Sequence, residues 1–175
     1  MRYSSGPEQS FARSAAACVL AVASSAVLLL APLEAGAVSG GGGLSENLAG
    51  TNMSKRDLRK IKFTKANLRA TNFDGANLTG VSMFSSLCQN ATFVGANMTL
   101  SDLESGNFEE ADLTNAVLSG AFVNNAQFKN TNITNTDWSD VVFRKDMLTY
   151  LCKLPTANGV NPVTGNDTRE TMMCP

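Results

Sequence analysis

Apolar side chains recur every five residues from Leu48 to Phe143, without a change of register. Two positions before most of them the side chain is small, as at Ala66 and Ala76, and one position before them it is mostly Asn or Asp. A spacing of five matches neither the period of an α-helix nor the alternation of a flat strand. The pattern therefore predicts a solenoid, in which the chain turns a corner at every repeat.

The apolar positions are expected to fill a narrow, close-packed interior that has room for one bulky side chain per repeat. At the start of the pattern the small positions hold Glu46, Arg56 and Ile61, so an irregular first turn is expected there. No proline occurs between Ser45 and Phe143, and a hydrogen-bonded ladder can run through the whole region. The predicted core residues are Leu68, Phe73, Leu78, Phe93, Met98, Phe108, Leu113, Leu118, Phe128, Trp138 and Phe143.

Several repeats carry a recognisable motif. Residues 66–70, 76–80 and 111–115 read Ala-Asn-Leu-Arg-Ala, Ala-Asn-Leu-Thr-Gly and Ala-Asp-Leu-Thr-Asn, and they resemble the A-(D/N)-L-x-x motif of the pentapeptide-repeat family. The resemblance implies an all-β solenoid over residues 45–143, a right-handed quadrilateral β-helix of about five coils with four repeats in each. Every twentieth residue would then stack on the same side of the rod.

The N-terminal residues have the pattern of an export signal. Arg13 precedes an uncharged run from Ala15 to Ala31, and Ala35-Gly36-Ala37 follows as an A-x-A cleavage site. We predict an export or thylakoid-transfer signal at residues 1–37 and a Gly-rich linker at 38–44, which leaves a mature chain that does not span a membrane. A retained membrane anchor is the alternative, because the run approaches spanning length.

Residues 144–175 lie outside the repeat and are predicted to form a C-terminal cap. The segment from Arg144 to Leu151 reads as a short helix, because its apolar residues share one face. Cys152 and Cys174 both lie in this cap, and export to an oxidising compartment favours a disulfide between them. Two free thiols or a redox switch are the alternatives.

The cap carries a second resemblance. Leu151-Cys152-Lys153, residues 158–169 and Met173-Cys174 are similar to the C-terminal segment of thylakoid lumenal pentapeptide-repeat proteins of plants, algae and cyanobacteria. The resemblance implies a location in the chloroplast thylakoid lumen and an association with photosynthesis, with a cyanobacterial lumen or periplasm as the alternative. Residues 1–13 are shorter than a full chloroplast transit peptide, so either residues are missing upstream or the source is cyanobacterial.

No residue pattern in the chain points to catalysis. The chain contains no histidine, which removes the commonest general base and metal ligand. Glu109 and Glu110 are consecutive and are expected to form a solvated surface, while Cys88 falls in the interior column as a small apolar residue. We therefore predict that the protein is not an enzyme and uses no cofactor or metal.

Charged residues divide along the repeat region. Acidic residues lie past its middle, at Asp102, Glu104, Glu109, Glu110 and Asp112. A docking patch for a protein partner is predicted near its start, at Lys55, Arg56, Arg59, Lys60, Lys62, Lys65 and Arg69. Solvation by mixed charge is the alternative.

The sequence thus predicts a noncatalytic lumenal scaffold, or an assembly or regulatory factor, that binds a lumenal protein or a thylakoid-membrane complex. Its oligomeric state is not predicted. One alternative is DNA mimicry of the kind that inhibits gyrase, which needs a strongly acidic rod, whereas the net charge here is −1. A redox-responsive protein that uses Cys152 and Cys174 is another. No nucleic-acid partner is expected, because no aromatic residues interleave with the basic ones.

Overall fold

The computed structural model describes residues 46–175, so the predicted signal and linker lie outside the described residues. The repeat region forms parallel β-bridges between residues 20 apart, from Asn47 with Asn67 to Val117 with Asp137. In the repeat region from Asp57 onwards, each bridge residue is followed by a buried position and then by a two-residue turn. Because four repeats separate the two members of each bridge, the chain completes one turn of the solenoid every four repeats.

Backbone hydrogen bonds connect neighbouring turns in both directions. The Leu68 N–H donates to the Leu87 carbonyl at 2.8 Å, and the Leu87 N–H donates to the Ala66 carbonyl at 2.9 Å. Most corners are closed by a further bond within the repeat, such as that from the Thr71 N–H to the Leu68 carbonyl at 3.1 Å. The ladder thereby pairs the backbone polar groups that surround an apolar interior, where an unpaired group is costly.

The Asn or Asp residue before each apolar position shapes the corner that follows. The Asn72 side chain accepts a hydrogen bond from the Asp74 N–H at 2.8 Å, and the Asp112 side chain accepts one from the Thr114 N–H at 2.9 Å. The second residue of a corner usually has a positive φ. Five of these residues are glycines, Gly50, Gly75, Gly80, Gly95 and Gly120. The other corner residues with a positive φ are Lys55, Lys65, Ala70, Ser85, Asn90, Leu100, Ser105, Glu110, Asn115, Asn125, Asn130, Asn135 and Asp140.

The interior contains the apolar column that the sequence predicts. From Leu58 to Trp138, every fifth residue has at most 3% of its surface exposed. Phe143 differs from the prediction, since it is only partly buried. The chain leaves the ladder at residues 141–144, and the Phe143 ring packs on Trp138 with 5.5 Å between ring centroids.

Aromatic rings form a continuous row through this interior. Rings one turn apart are nearly parallel: the centroids are 5.0 Å apart for Phe73 and Phe93, and 5.5 Å apart for Phe108 and Phe128. The Phe93 and Phe108 rings connect the two pairs at 5.9 Å. Such pairs each contribute about 0.5 to 1.5 kcal/mol beyond burial alone, so the row ties successive turns together.

The irregularity expected in the first turn affects more than one side of it. Leu48, Met53 and Arg56 are only partly buried, and two further departures lie beside Ile61. Lys62 makes no β-bridge with Ser82, although the neighbouring Phe63 N–H still donates to the Ser82 carbonyl at 2.8 Å. Among the corner residues at every fifth position from 50 to 140, Lys60 alone has no positive φ. Both departures flank Ile61, which is larger than the residue that usually occupies this inward position.

Two short helices lie in the cap, α1 at Lys145–Leu151 and α2 at Thr168–Thr171. Helix α1 lies where the sequence predicts a helix. Helix α2 is capped by Asp167, whose side chain accepts hydrogen bonds from the Arg169 and Glu170 N–H groups at 2.8 and 3.2 Å. No helix within residues 46–175 has both the length and the apolar character needed to cross a bilayer.

The cap takes the place of a further turn of the solenoid. The Asn135 N–H donates to the Asn158 carbonyl at 2.8 Å, much as a residue in an earlier turn would donate to the next one. Side chains serve as acceptors elsewhere: the Trp138 N–H donates to the Thr171 hydroxyl, and the Asn130 N–H donates to the Tyr150 hydroxyl, both at 3.1 Å. The cap thereby pairs groups that an uncovered edge would leave open to another chain.

Asn161 inserts from the cap into the wall of the solenoid and is fully buried. Its side-chain nitrogen lies 3.2, 3.1 and 2.9 Å from the carbonyl oxygens of Asn115, Ala116 and Asn135. Its side-chain oxygen accepts hydrogen bonds from two cap N–H groups, of Val163 and Thr164. This side chain therefore joins two turns of the solenoid to the cap.

We expect Leu78→Ala to lower the free energy of unfolding by about 2 to 5 kcal/mol, because it opens a cavity in a core with little freedom to collapse. The matched control is the outward neighbour, Asn77→Ser, for which the loss is expected to stay below about 1 kcal/mol. Urea denaturation followed by circular dichroism measures both. Equal losses in the two variants would contradict the inward position of Leu78.

We expect Asn161→Ala to cost about 2 to 4 kcal/mol, because it removes a buried amide that joins two turns to the cap and leaves the Asn115 and Asn135 carbonyls without this donor. Asn158→Ala is the control: that exposed amide donates only to the Pro155 carbonyl, at 2.7 Å, and its loss should stay below about 1 kcal/mol. Thermal unfolding of both proteins tests this. A melting temperature unchanged by Asn161→Ala would show that the cap is held by other contacts.

Candidate functional site

The predicted disulfide between Cys152 and Cys174 is present, with 5.6 Å between the two Cα atoms. Cys152 directly follows helix α1, and Cys174 follows helix α2. The Arg169 side chain bridges the same two segments of the cap, since it donates to the Cys152 carbonyl at 3.0 Å and to the Pro175 carbonyl at 3.1 Å. The disulfide therefore fastens the two ends of the cap to each other.

Cys88 is the free cysteine among the described residues, and it lies in the interior as predicted. Burial raises the pKa of its thiol to about 12, and the Ser86 hydroxyl lies 3.2 Å from the sulfur. The thiol is therefore neutral at physiological pH. A neutral, enclosed thiol is a poor nucleophile, so Cys88 contributes packing.

The predicted basic patch is a ring around the first described turn, hereafter the basic ring. Its members do not share one face: Lys55, Lys60 and Lys65 lie in three successive corners, and Arg69 lies in the next. The ring extends from residue 55 to 69, about three quarters of one turn. Since one turn advances by about 4.8 Å, its members lie within one strand spacing along the axis. The full ring is Lys55, Arg56, Arg59, Lys60, Lys62, Lys65 and Arg69.

Most of the positive charge of the basic ring is exposed and free of ion pairs. Arg59 donates to Asp57 with 2.6 Å between the paired atoms, and this hydrogen bond lowers the pKa of the Asp57 carboxyl to about 2. Both side chains are more than half exposed, so the pair contributes little to stability. Within residues 46–175, no other member of the ring makes an ion pair.

The acidic residues lie farther along the same sides of the rod. Asp102 follows Lys62 by two turns and Glu109 follows Arg69 by two turns, a separation of about 10 Å along the axis. Residues 46–69 contain seven basic and two acidic side chains, whereas residues 70–143 contain one basic and eight acidic ones. The solenoid therefore carries a strong charge gradient along its axis.

An exposed apolar strip lies past the middle of the rod. Leu100 and Phe122 are 57% and 54% exposed. The Leu100 side chain lies across the next turn at Gly120, because a Cβ on Gly120 would be only 2.8 Å from its Cδ2 atom. Phe122 lies two residues beyond Gly120, on the side of the rod that follows this corner. Leu100, Gly120 and Phe122 are hereafter called the apolar strip.

The apolar strip is the feature that sequence reasoning missed. Leu100 is a corner residue with a φ of 55°, a conformation in which a bulky side chain is strained. Most other corners place Gly or a polar residue at this position. A leucine in that register was a visible signal, but the five-residue pattern draws attention to interior positions and not to corners.

A surface cavity of about 340 Å³ lies between the last turn and helix α1. The Arg144 guanidinium at its edge already donates to Asn125 at 2.6 Å and to Asp146 at 2.8 Å. Its polar groups are thus engaged with each other, and we assign the cavity no ligand. Within residues 46–175, no three His, Cys, Asp or Glu side chains are grouped so that they could hold a metal ion.

Asp137 connects the last turn to the cap and is almost fully buried. Its carboxylate accepts hydrogen bonds from the Ser139 N–H and hydroxyl at 2.9 and 2.6 Å, and from the Asn166 amide at 3.0 Å. Burial would by itself raise the pKa of Asp137, but these hydrogen bonds outweigh it and hold the pKa below its usual 3.8.

The sequence and the fold are both similar to those of known proteins. Residues 47–83 and 85–120 match the family described as pentapeptide repeats, in eight copies. The chain is similar to a crystal structure of a pentapeptide repeat protein from the thylakoid lumen of Arabidopsis thaliana, at 39% identity and a TM-score of 0.71 over 77% of this chain and 97% of that one. It is also similar to thylakoid lumenal 15 kDa protein 1, chloroplastic, of Arabidopsis thaliana, at 53% identity over 38 residues.

These relatives confirm the predicted location, the chloroplast thylakoid lumen, since both are thylakoid lumenal proteins. The match to the 15 kDa protein spans 22% of this chain and 16% of that protein.

The solved relative supports the predicted right-handed β-helix. The matched 77% of this chain corresponds to nearly all of that crystal structure, so a segment of this length is folded in the relative.

We expect the free energy of unfolding to fall as the pH falls below about 4, partly because of Asp137. A carboxyl whose folded pKa is depressed stabilises the fold above its unfolded pKa, and this contribution is lost as the pH falls through the folded pKa. Asp137→Asn should lower stability at pH 7 and make the acid dependence shallower. Asp140→Asn is the exposed control; an identical acid profile for both variants would contradict a special role for Asp137.

Proposed function

Because the chain belongs to the pentapeptide-repeat family, we propose that it acts as a noncatalytic binding protein of the thylakoid lumen, a scaffold or assembly factor for a photosynthetic complex. The observation that carries the proposal is the apolar strip. It combines two large exposed apolar side chains, and Leu100 is the one large apolar residue among the corner residues at every fifth position from 50 to 140.

The strip lowers the stability of the isolated protein. A left-handed backbone conformation costs a residue such as Leu100 about 1 to 2 kcal/mol. Exposure of Leu100 and Phe122 gains no burial energy in return. Exposed apolar surface concentrates at interaction sites, which supports partner binding at this strip.

The residues around the strip define the partner's chemistry. Asp102 lies two residues beyond Leu100, and Glu104 lies at the next corner. The Asp102 carboxylate accepts a hydrogen bond from Ser82 at 3.0 Å, and the Glu104 carboxylate accepts one from Asn124 at 2.7 Å. Neither has a cationic partner within residues 46–175. The complementary surface is therefore a protein that presents apolar side chains beside lysine or arginine.

A binding role is also consistent with the chemical state of the three described cysteines. Cys88 is enclosed with a raised pKa, and Cys152 and Cys174 are joined to each other. Recognition by surface and shape needs none of these groups to react. The rigid interior in turn fixes the relative positions of the strip and its acidic neighbours, which reduces the cost of ordering them on binding.

The test is affinity capture of the tagged chain 38–175 from native thylakoid membranes in mild detergent, read by native gel and mass spectrometry. Wild type is compared with a Leu100→Asn, Phe122→Ser double variant. Since Asn tolerates the left-handed conformation, Leu100→Asn should leave the melting temperature unchanged or higher. We expect the double variant to lose a photosynthetic complex or lumenal protein that wild type retains.

The matched control is Val163→Asn, which removes an exposed apolar residue from the cap, where Val163 is 77% exposed. This control should retain the partner. Recovery of the same partner by the double variant, or of no partner by wild type, would overturn the proposal. Photo-crosslinking from position 122 to the captured protein provides an independent check of direct contact.

A further inference from the structure

The geometry of the basic ring does not suit a partner that binds one side of the rod. Lys55, Lys60 and Lys65 lie in corners a quarter turn apart, so a flat partner on any one side would contact only part of the ring. All members lie within about one strand spacing along the axis. A surface that approaches the N-terminal end of the solenoid can reach them together. We propose that the basic ring docks this end onto a membrane surface that carries anionic lipid headgroups.

One positive charge of the basic ring lies at an inward position of the repeat and not at a corner. Arg56 occupies an inward position in the repeat, where later turns place a small buried residue such as Ala76 or Ala96, yet it is half-exposed. Glu46 occupies the same repeat position two repeats earlier, and within residues 46–175 it makes no ion pair with Arg56, while Asp57 is paired with Arg59. Seven basic side chains thus face two acidic ones between residues 46 and 69.

The rest of the solenoid sets the orientation. Residues 70–143 contain eight acidic side chains and one basic one, Lys129, which is paired with Glu109 at 2.9 Å. An anionic surface repels this part and attracts the basic ring. The rod is therefore expected to stand on its N-terminal end, with the apolar strip held away from the membrane and accessible to a protein.

A lipid surface fits the ring better than an acidic protein does. A protein would need a concave surface to contact charges on three or four corners, whereas mobile headgroups gather around each side chain and need no shape complementarity. The protein resides in a lumen enclosed by membrane, so such a surface is within reach. This inference stands apart from the proposed protein-binding role, which uses the apolar strip.

The test is co-sedimentation of the chain 38–175 with phosphatidylcholine vesicles that contain or lack phosphatidylglycerol, at low and at physiological salt. We expect binding to the anionic vesicles only, and weaker binding as salt rises. The variant Lys60→Gln, Lys62→Gln, Lys65→Gln removes three exposed charges of the ring. Each contributes about a fivefold change in partitioning, so the variant should bind roughly 100-fold more weakly.

The matched control removes three lysines elsewhere, through Lys129→Gln, Lys145→Gln and Lys153→Gln. This control has the same net charge as the ring variant and should keep most of the binding. Circular dichroism verifies that both variants are folded. Equal losses in both would mean that net charge and not the ring is responsible, which would overturn the proposal. An absence of binding to anionic vesicles would also overturn the proposal. The same holds if the ring binds an acidic protein and no vesicles.

Discussion

The fold depends on one constraint, the register of the hydrogen-bonded ladder. The Leu68 N–H donates forward to Leu87, and the Leu87 N–H donates back to Ala66, so each turn contains four repeats. A turn of this length encloses a narrow interior, which has room for one bulky and one small side chain per repeat. The register therefore dictates the composition of the core. It also explains why Ile61, a larger residue at a small position, coincides with the one missing bridge in the first described turn.

The same register converts sequence distance into position on the surface. Residues four repeats apart lie on neighbouring turns, and residues eight repeats apart lie on the same side about 10 Å away. Charges that appear in two blocks of sequence thus become a gradient along the rod. Leu100 similarly reaches Gly120 across one turn, which is how two exposed apolar residues far apart in sequence become one strip. Since the interior is repetitive, the features that distinguish one part of the rod from another reside in these outward positions.

Most of the fold could be predicted, because every repeat places the same kinds of residue in the same environment. The interior column, the Asn and Asp residues at the corners, helix α1 and the disulfide all have local signals. The basic ring was predicted as a patch, because proximity in sequence suggests proximity on one face, whereas the chain from 55 to 69 passes around three corners. Asn161 could not be found in this way, since its partners Asn115 and Ala116 lie 46 and 45 residues away and the segment between does not repeat. Phe143 continues the five-residue pattern one step beyond the point where the ladder ends.

The two ends of the described solenoid differ in the residues that lie there. At the C-terminal end, the chain supplies its own acceptors to the last turn, and the disulfide between Cys152 and Cys174 holds the segment that contains them. At the first described turn, like charges are concentrated around the corners. Charged side chains at a sheet edge oppose pairing with another copy, because two basic ends repel each other. A charge arrangement that discourages self-association at this end is also the one that an anionic surface attracts, so a single feature of the sequence serves solubility and orientation together.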